Sequence, residues 1–352
     1  MIESTIQIAG RSVGPAKPVY IIAELSANHR QSFEHAVKTI EAARDAGADA
    51  IKLQTYTPDT ITLESDSELF RISEGSLWAG RTLYDLYNEA FMPWEWQPKL
   101  KKIANELKLD LFSSPFDESA VDFLERMDVP AYKIASFELV DLPLIRRVAA
   151  TGKPVILSTG MGALAEIEEA VAAARSAIGF GGLALLKCTS AYPALPEDMN
   201  LRTIPDLCRR FGVPVGLSDH TTGVAVPVSA VTFGACIVEK HLTLSRADGG
   251  PDASFSLEPK EFSEMAQAVR AAQRSLGNVQ YGALESEEGS RSFRPSLFIT
   301  EDLMAGTILS PENVKSLRPA FGLAPKHFEA VLGRPVNKDV KRGTPLQWDL
   351  LA

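Results

Sequence analysis

Two strings, Gly216-Leu-Ser218-Asp219-His220 and Ile237-Val-Glu239-Lys240-His241, each close an apolar, β-like run with a histidine and stand one strand-helix unit apart. Side chains alternate along a strand, so Ser218 and His220 share one face, and so do Glu239 and His241. In one parallel sheet the two imidazoles would meet at neighbouring strand ends, with Glu239 pointing inward beside them. A single histidine there reads as a polar strand-end residue bonded to a loop. A matched pair beside a carboxylate reads as a place for a metal ion.

Outward from this pair, eight short runs rich in Val, Ile and Leu recur along the chain, at 19–24, 50–55, 109–113, 131–135, 154–158, 183–189, 214–218 and 236–241. Amphipathic stretches at 33–46, 118–127, 142–150, 164–176, 203–211 and 224–233 separate them. Eight β-α alternations over roughly 250 residues predict a TIM (β/α)8 barrel rather than an open doubly wound sheet. No GxGxxG follows the first run, which argues against a dinucleotide-binding fold.

The C-terminal strand ends of such a barrel form its active face. Here they carry Glu24, Lys52, Gln54, Ser113 or Ser114, Lys133, Ser136, Ser158, Lys187, Thr189, Ser218, His220, Glu239 and His241. Lys52 shares parity with Gln54, and Lys187 with Thr189, so three lysines are expected to converge on the mouth with several hydroxyls. That set suits a small phosphorylated dianion. The turn-rich loop 243–252 brings Asp252 over the same mouth, within reach of a metal-bound water.

Composition narrows the function class. The 352-residue chain is 45% hydrophobic, enough for a large core, and its net charge of -9 excludes a nucleic-acid footprint or a basic membrane patch. Three cysteines, Cys188, Cys208 and Cys236, form no CxxC pair, which points to a reducing compartment without a disulfide framework. Residues 1–10 lack the basic-then-apolar pattern of a secretory leader, and no apolar run reaches membrane-spanning length, so a cytoplasmic protein is expected.

Past a helix at 259–276, a polar connector occupies 277–291. The chain is therefore read as a barrel domain over 1–280, a linker over 281–291 and a small β-rich domain over 292–352. In the last of these, Asp302-Leu-Met-Ala-Gly306-Thr307-Ile-Leu309 is echoed by Asp339-Val-Lys-Arg-Gly343-Thr344-Pro-Leu346, which predicts paired hairpins around Gly-Thr turns. Arg318 lies in a basic loop, 316–322, between the copies.

Taken together, the strings Ile22-Ala-Glu24-Leu-Ser-Ala-Asn28-His29, Ile51-Lys52-Leu-Gln54-Thr, Ser113-Ser114-Pro-Phe, Tyr132-Lys133-Ile-Ala-Ser136, Ser158-Thr-Gly160-Met, Cys188-Thr189-Ser190-Ala-Tyr192-Pro, Ser218-Asp-His220 and Glu239-Lys-His241 resemble the sialic acid synthase family. The resemblance runs end to end and implies a phosphoenolpyruvate-condensing TIM barrel followed by an antifreeze-like, or SAF, domain. Residues 82–96 and 135–143 look like the pseudaminic branch of that family. The resemblance implies a metal-dependent condensation of phosphoenolpyruvate with 2,4-diacetamido-2,4,6-trideoxy-L-altrose and water, giving pseudaminic acid for surface glycans or flagellin, and phosphate by C–O cleavage.

It further implies a divalent cation (manganese, magnesium or cobalt) on His220 and His241. Glu24, Glu239 and Asp252 would join these histidines in catalysis, and Lys52, Ser114, Lys133, Ser136, Ser158 and Ser218 would hold phosphoenolpyruvate. Gln54, Tyr192, Phe293 and Arg318 match positions near the sugar, with Arg318 acting in trans in a domain-swapped homodimer. At Ser190 the chain departs from the Asn that sialic acid synthases carry. A legionaminic or N-acetylneuraminic acid synthase is the nearest alternative, and a non-enzymatic glycan-binding protein the distant one.

Overall fold

The computed structural model describes residues 5–75, 77–178 and 182–352, and the chain forms two compact units, Met1–Gly277 and Asn278–Ala352. The first begins with an antiparallel hairpin of β1 (Ile6–Ile8) and β2 (Arg11–Val13). Eight strands follow: β3 (Tyr20–Glu24), β4 (Ala50–Thr55), β5 (Asp110–Pro115), β6 (Tyr132–Ile134), β7 (Val155–Ser158), β8 (Leu183–Cys188), β9 (Val215–Asp219) and β10 (Ile237–His241). They pair in parallel and in sequence order, and β10 returns to β3 to close the barrel. All eight predicted runs are barrel strands.

Parallel strands covered by helices are buried on both faces, hence their near-continuous apolar runs. Every residue of β3, β9 and β10 is buried. The helices pack by one stripe. On Pro259–Leu276, Phe262, Met265, Ala266 and Val269 are buried at helical spacing. On Phe33–Asp45, Ser32 caps the first turn by accepting from the His35 amide at 3.2 Å.

Several elements lay outside the sequence prediction, among them the helix Leu83–Ala90. The β1–β2 hairpin buries Ile6, Ile8 and Val13 in the barrel unit's core. Its Arg11 pairs with Asp49 at 3.0 Å and Asp110 at 3.6 Å, at the starts of β4 and β5, so it closes the N-terminal end of the barrel. The helix Gln97–Glu106 lies between β4 and β5, held by Gln97 Oε1, which accepts from Thr55 Oγ1 at 2.8 Å.

In the second unit, β11 (Ser296–Ile299) pairs antiparallel with β12 (Val314–Leu317). The sequence repeat is real in the backbone, for Gly306 and Gly343 both adopt φ 86°, the left-handed turn that glycine tolerates. The two copies, however, do not form separate hairpins. They bind each other: Leu303 and Val340 exchange both backbone hydrogen bonds at 2.9 Å, Gly306 N–H donates to Val336 O at 2.7 Å, and Gly343 N–H donates to Ile299 O at 2.8 Å. Under the register that places Asp302 on Asp339, Ile299 falls on Val336, so this pattern has local two-fold symmetry. The stretch expected to be a bare linker holds two short helical turns, Glu285–Glu287 and Glu288–Arg291, and Ser316 and Leu317 belong to β12 rather than to a loop.

Candidate active site

The register of the barrel decides which side chains meet. Ser218 lies opposite Glu239, His241 opposite Glu24, and Glu24 opposite Lys52, so all point to the same side. Continuing around, Gln54 faces Ser114, while Lys133, Ser158 and Cys188 keep the inward parity. With Ser136, Tyr192, His220 and Asp252 they line one cavity of 550 Å³, except for two: buried Glu24 reaches it only through Lys52 and Gln54, and Ser114 only by accepting from Lys52. A cavity of roughly 300–1,000 Å³ suits small-molecule binding.

Its floor is a buried charge network. Lys52 Nζ lies 2.6 Å from Glu24 Oε2 and 3.4 Å from Glu239 Oε1, and Lys133 Nζ is 3.8 Å from the same Glu239 oxygen. Gln54 Nε2 donates to Glu24 Oε1 at 3.1 Å and to Ser26 Oγ at 2.9 Å; Ser26 in turn donates to Asp252. The two carboxylates divide in character. Burial raises Glu24 to about 7 against the pull of Lys52, with Glu239 adding to the rise. For Glu239, burial is outweighed by Lys133 and Lys52, which keep it ionised. Burial lowers Lys133.

Beside this network, the His220 and His241 ring centroids are 5.3 Å apart. His220 Nδ1 lies 2.9 Å from Thr189 O, which assigns a proton to Nδ1; burial pulls this ring down, but Cys188 beside it outweighs burial and raises it. Buried His241 Nδ1 has no hydrogen-bond partner. Burial lowers His241, and with both rings in the neutral form the pair would fit a divalent cation completed by water. Among the described residues there is no group of three His, Cys, Asp or Glu side chains around a common point. Tyr192 packs on His220 at 4.4 Å and on Phe255 at 5.0 Å between centroids.

Two sequence expectations are corrected: neither Lys187 nor Thr189 lines the cavity. Lys187 does not reach the mouth: it lies opposite Leu217, on the outward parity, and Nζ donates to Cys188 O at 2.7 Å and Thr189 Oγ1 at 3.2 Å. Its neighbour Cys188 takes the inward place, so two lysines converge rather than three. Of the alternatives Ser113 and Ser114, Ser114 belongs to the site, whereas Ser113 turns outward to Thr55 at 2.6 Å. Phe293 and Arg318 are exposed residues of the second unit.

The structure adds Glu138, which the sequence reading covered only as part of the stretch 135–143. It lines the cavity, burial raises its carboxyl to about 7, and its Oε2 has no partner. Its two-residue spacing from Ser136 across a 3-10 turn, Phe137–Val140, was the available signal. Ser158 Oγ, Ser190 Oγ and Glu239 Oε2 are likewise buried without hydrogen-bond partners. Unsatisfied polar atoms gathered at one mouth are what a polar ligand would satisfy.

Fold and site define an α/β-barrel enzyme whose mouth gathers two lysines, several hydroxyls and a pair of imidazoles. The chain belongs to the NeuB family, whose model matches residues 39–281, with a SAF domain matching 294–352. It is 46% identical over 331 residues to a pseudaminic acid synthase of Campylobacter jejuni subsp. jejuni serotype O:23/36, covering 94% of this chain and 96% of that protein. With a pseudaminic acid synthase of Helicobacter pylori the identity is 42% over 334 residues, 95% of this chain and 98% of the other. Among solved structures, an N-acetylneuraminic acid synthetase from Leptospira borgpetersenii serovar Hardjo-bovis, in complex with citrate, superposes with a TM-score of 0.72 at 30% identity, covering 82% of this chain and 95% of that one.

Proposed function

We propose that this chain condenses phosphoenolpyruvate with 2,4-diacetamido-2,4,6-trideoxy-L-altrose and water to give pseudaminic acid and phosphate. The observation that carries this reading is the 46% identity, over nearly the whole of both chains, to the Campylobacter jejuni pseudaminic acid synthase. The floor of the cavity suits the chemistry.

Lys52 and Lys133, with the hydroxyls of Ser114, Ser136, Ser158 and Ser218, hold the carboxylate and phosphate of phosphoenolpyruvate. His220 and His241 would hold a divalent cation (manganese, magnesium or cobalt), which when bound supplies Lewis-acid polarisation of the sugar aldehyde and of water. C3 of phosphoenolpyruvate bonds to the aldehyde carbon, water adds at C2, and the C2–O bond breaks to release phosphate. Asp252, in the cavity lining, and Glu24, linked to it through Gln54 and Ser26, orient that water and pass its proton to the aldehyde oxygen, which becomes a hydroxyl; a carboxyl near 7 is suited to proton transfer at neutral pH. Glu239 keeps the ammonium groups in place. Gln54 and Tyr192 face the sugar.

The reading includes a cytoplasmic homodimer in which Phe293 and Arg318 of each chain serve the other chain's barrel. Their exposure on the second unit supports it, as do three cysteines left free of disulfides. Among the described residues no helix is long and apolar enough to cross a membrane.

The test is phosphate release from phosphoenolpyruvate with manganese, offering the altrose sugar, its legionaminic counterpart and N-acetylmannosamine, each with and without chelator. Turnover of the altrose sugar alone, abolished by chelator and by His220→Ala, is the expected result. Preference for another sugar overturns the substrate, and full activity of His220→Ala overturns the metal site.

A further inference from the structure

The cavity has two chemically distinct sides. Its floor is the lysine, hydroxyl and imidazole set of the strand ends. A second part of its lining, here the wall, comes from the long excursion between β4 and the helix Gln97–Glu106 and presents Ile61, Ile72, Trp78, Leu83, Leu86 and Tyr87. None of these six carries a charge, and four are aliphatic.

This wall is a constructed element. Arg71 and Thr82 form an antiparallel bridge, Ile72 N–H donates to Arg81 O at 2.9 Å, and Gly80 N–H donates to Ile72 O at 3.1 Å, so Ile72 sits on a small hairpin. Thr82 then caps the helix Leu83–Ala90 by accepting from the Asp85 amide at 3.0 Å, which aims Leu83, Leu86 and Tyr87 together. Arg81 braces the same helix through Glu89 at 2.7 Å. Trp78 Nε1 donates to Pro251 O at 2.9 Å, tying the hairpin to the loop that carries Asp252. Tyr87 meets Tyr56 edge-on at 5.6 Å.

We propose that this wall selects the sugar by its methyl groups. The inference rests on the substrate reading above: a 2,4-diacetamido-2,4,6-trideoxy sugar carries three methyls, at C6 and on its two acetamido groups. Hexoses with hydroxyls at C4 and C6 would press those hydroxyls against Ile and Leu side chains that offer no hydrogen bond. Phosphoenolpyruvate is held on the polar floor and is indifferent to the wall. An apolar surface rejects an added hydroxyl only modestly, so the preference supplied here is about 10²-fold in kcat/KM.

Two experiments test this on the full chain. The first compares the altrose sugar with its 6-hydroxy analogue in the wild type and in Ile72→Asn and Leu83→Gln, both half-buried positions. The variants are expected to lower the methyl-over-hydroxyl preference at least tenfold, through KM for the sugar, with KM for phosphoenolpyruvate unchanged. An unaltered preference in folded, active variants overturns the wall. The second needs no variant: saturation-transfer NMR on the wild type, irradiating protein methyls, should mark the C6 and acetamido methyls most strongly. Marking of ring protons alone overturns the proposal even if the variants fail to fold. A wild type that does not turn over the altrose sugar refutes the substrate reading instead.

Discussion

Lys52 answers two buried carboxylates at once, Glu24 at 2.6 Å and Glu239 at 3.4 Å. Removing it strands both, and breaking a buried ion pair from one side costs about 3–5 kcal/mol. Lys52→Met is therefore expected to lose stability on that scale in urea unfolding, and to lose turnover; adding Glu24→Gln should restore part of the stability and none of the turnover. Equal stability of the single and double variants would refute the pairing. Glu138 makes a pH-dependent case. Its carboxyl is raised from 4.5 to about 7 chiefly by burial, so the folded chain holds that proton more tightly than the unfolded one. The resulting stability is complete below the unfolded value and disappears as pH rises through about 7, by at most about 3 kcal/mol. Thermal melts should show Glu138→Gln gaining on the wild type between about pH 5 and pH 8; a gap that does not change with pH contradicts this. Most of the site was legible at this scale, because strand parity predicts which residues share a face. Lys187 and Cys188 show the limit: residue parity within β8 depends on its register with β9, which no single segment contains.

Among elements, β9 is tightly constrained. A Cβ on Gly216 would lie 2.5 Å from Ile237 O, 2.6 Å from Ile237 Cβ and 2.8 Å from Leu186 Cδ2. Gly216→Ala should cost about 1–3 kcal/mol by overpacking and disturb Ser218 on the same strand and His220 just past its end; differential scanning calorimetry beside a phosphoenolpyruvate titration would show both losses. A variant with wild-type stability would mean that β9 and β10 can separate. The barrel strands were readable because burial on both faces writes continuous apolar runs. The β1–β2 hairpin was not, since three-residue strands give no period. Gln97–Glu106 escaped for a different reason: it follows a 3-10 turn, Trp94–Trp96, and is polar over much of its surface, its place set by the Thr55–Gln97 hydrogen bond.

Over the whole molecule, the two units have separate cores. One is built around the barrel, and the other gathers Leu297, Ile299, Leu303, Val314, Val340 and Leu346. Cores that share no residue need not melt together. Calorimetry of the full chain is expected to resolve two transitions, and a chain ending at Gly277 should retain one of them. A single transition in the full chain, with no folded barrel after truncation, would show that the units depend on each other. The mutual clasp of Leu303 and Val340 belongs to this scale as well, because the repeat was visible in sequence but its partner was not.

By itself, the sequence determined the alternation of eight strands, the faces of most strand ends and the pairing of His220 with His241, because period-two patterning is local. Tertiary structure decided what closure of the barrel brings together: Lys52 between Glu24 and Glu239, Cys188 in the place expected for Lys187, and Glu138 and a set of apolar residues lining the same cavity as the lysines and imidazoles. These contacts join residues far apart in the chain, and only the barrel's register fixes them.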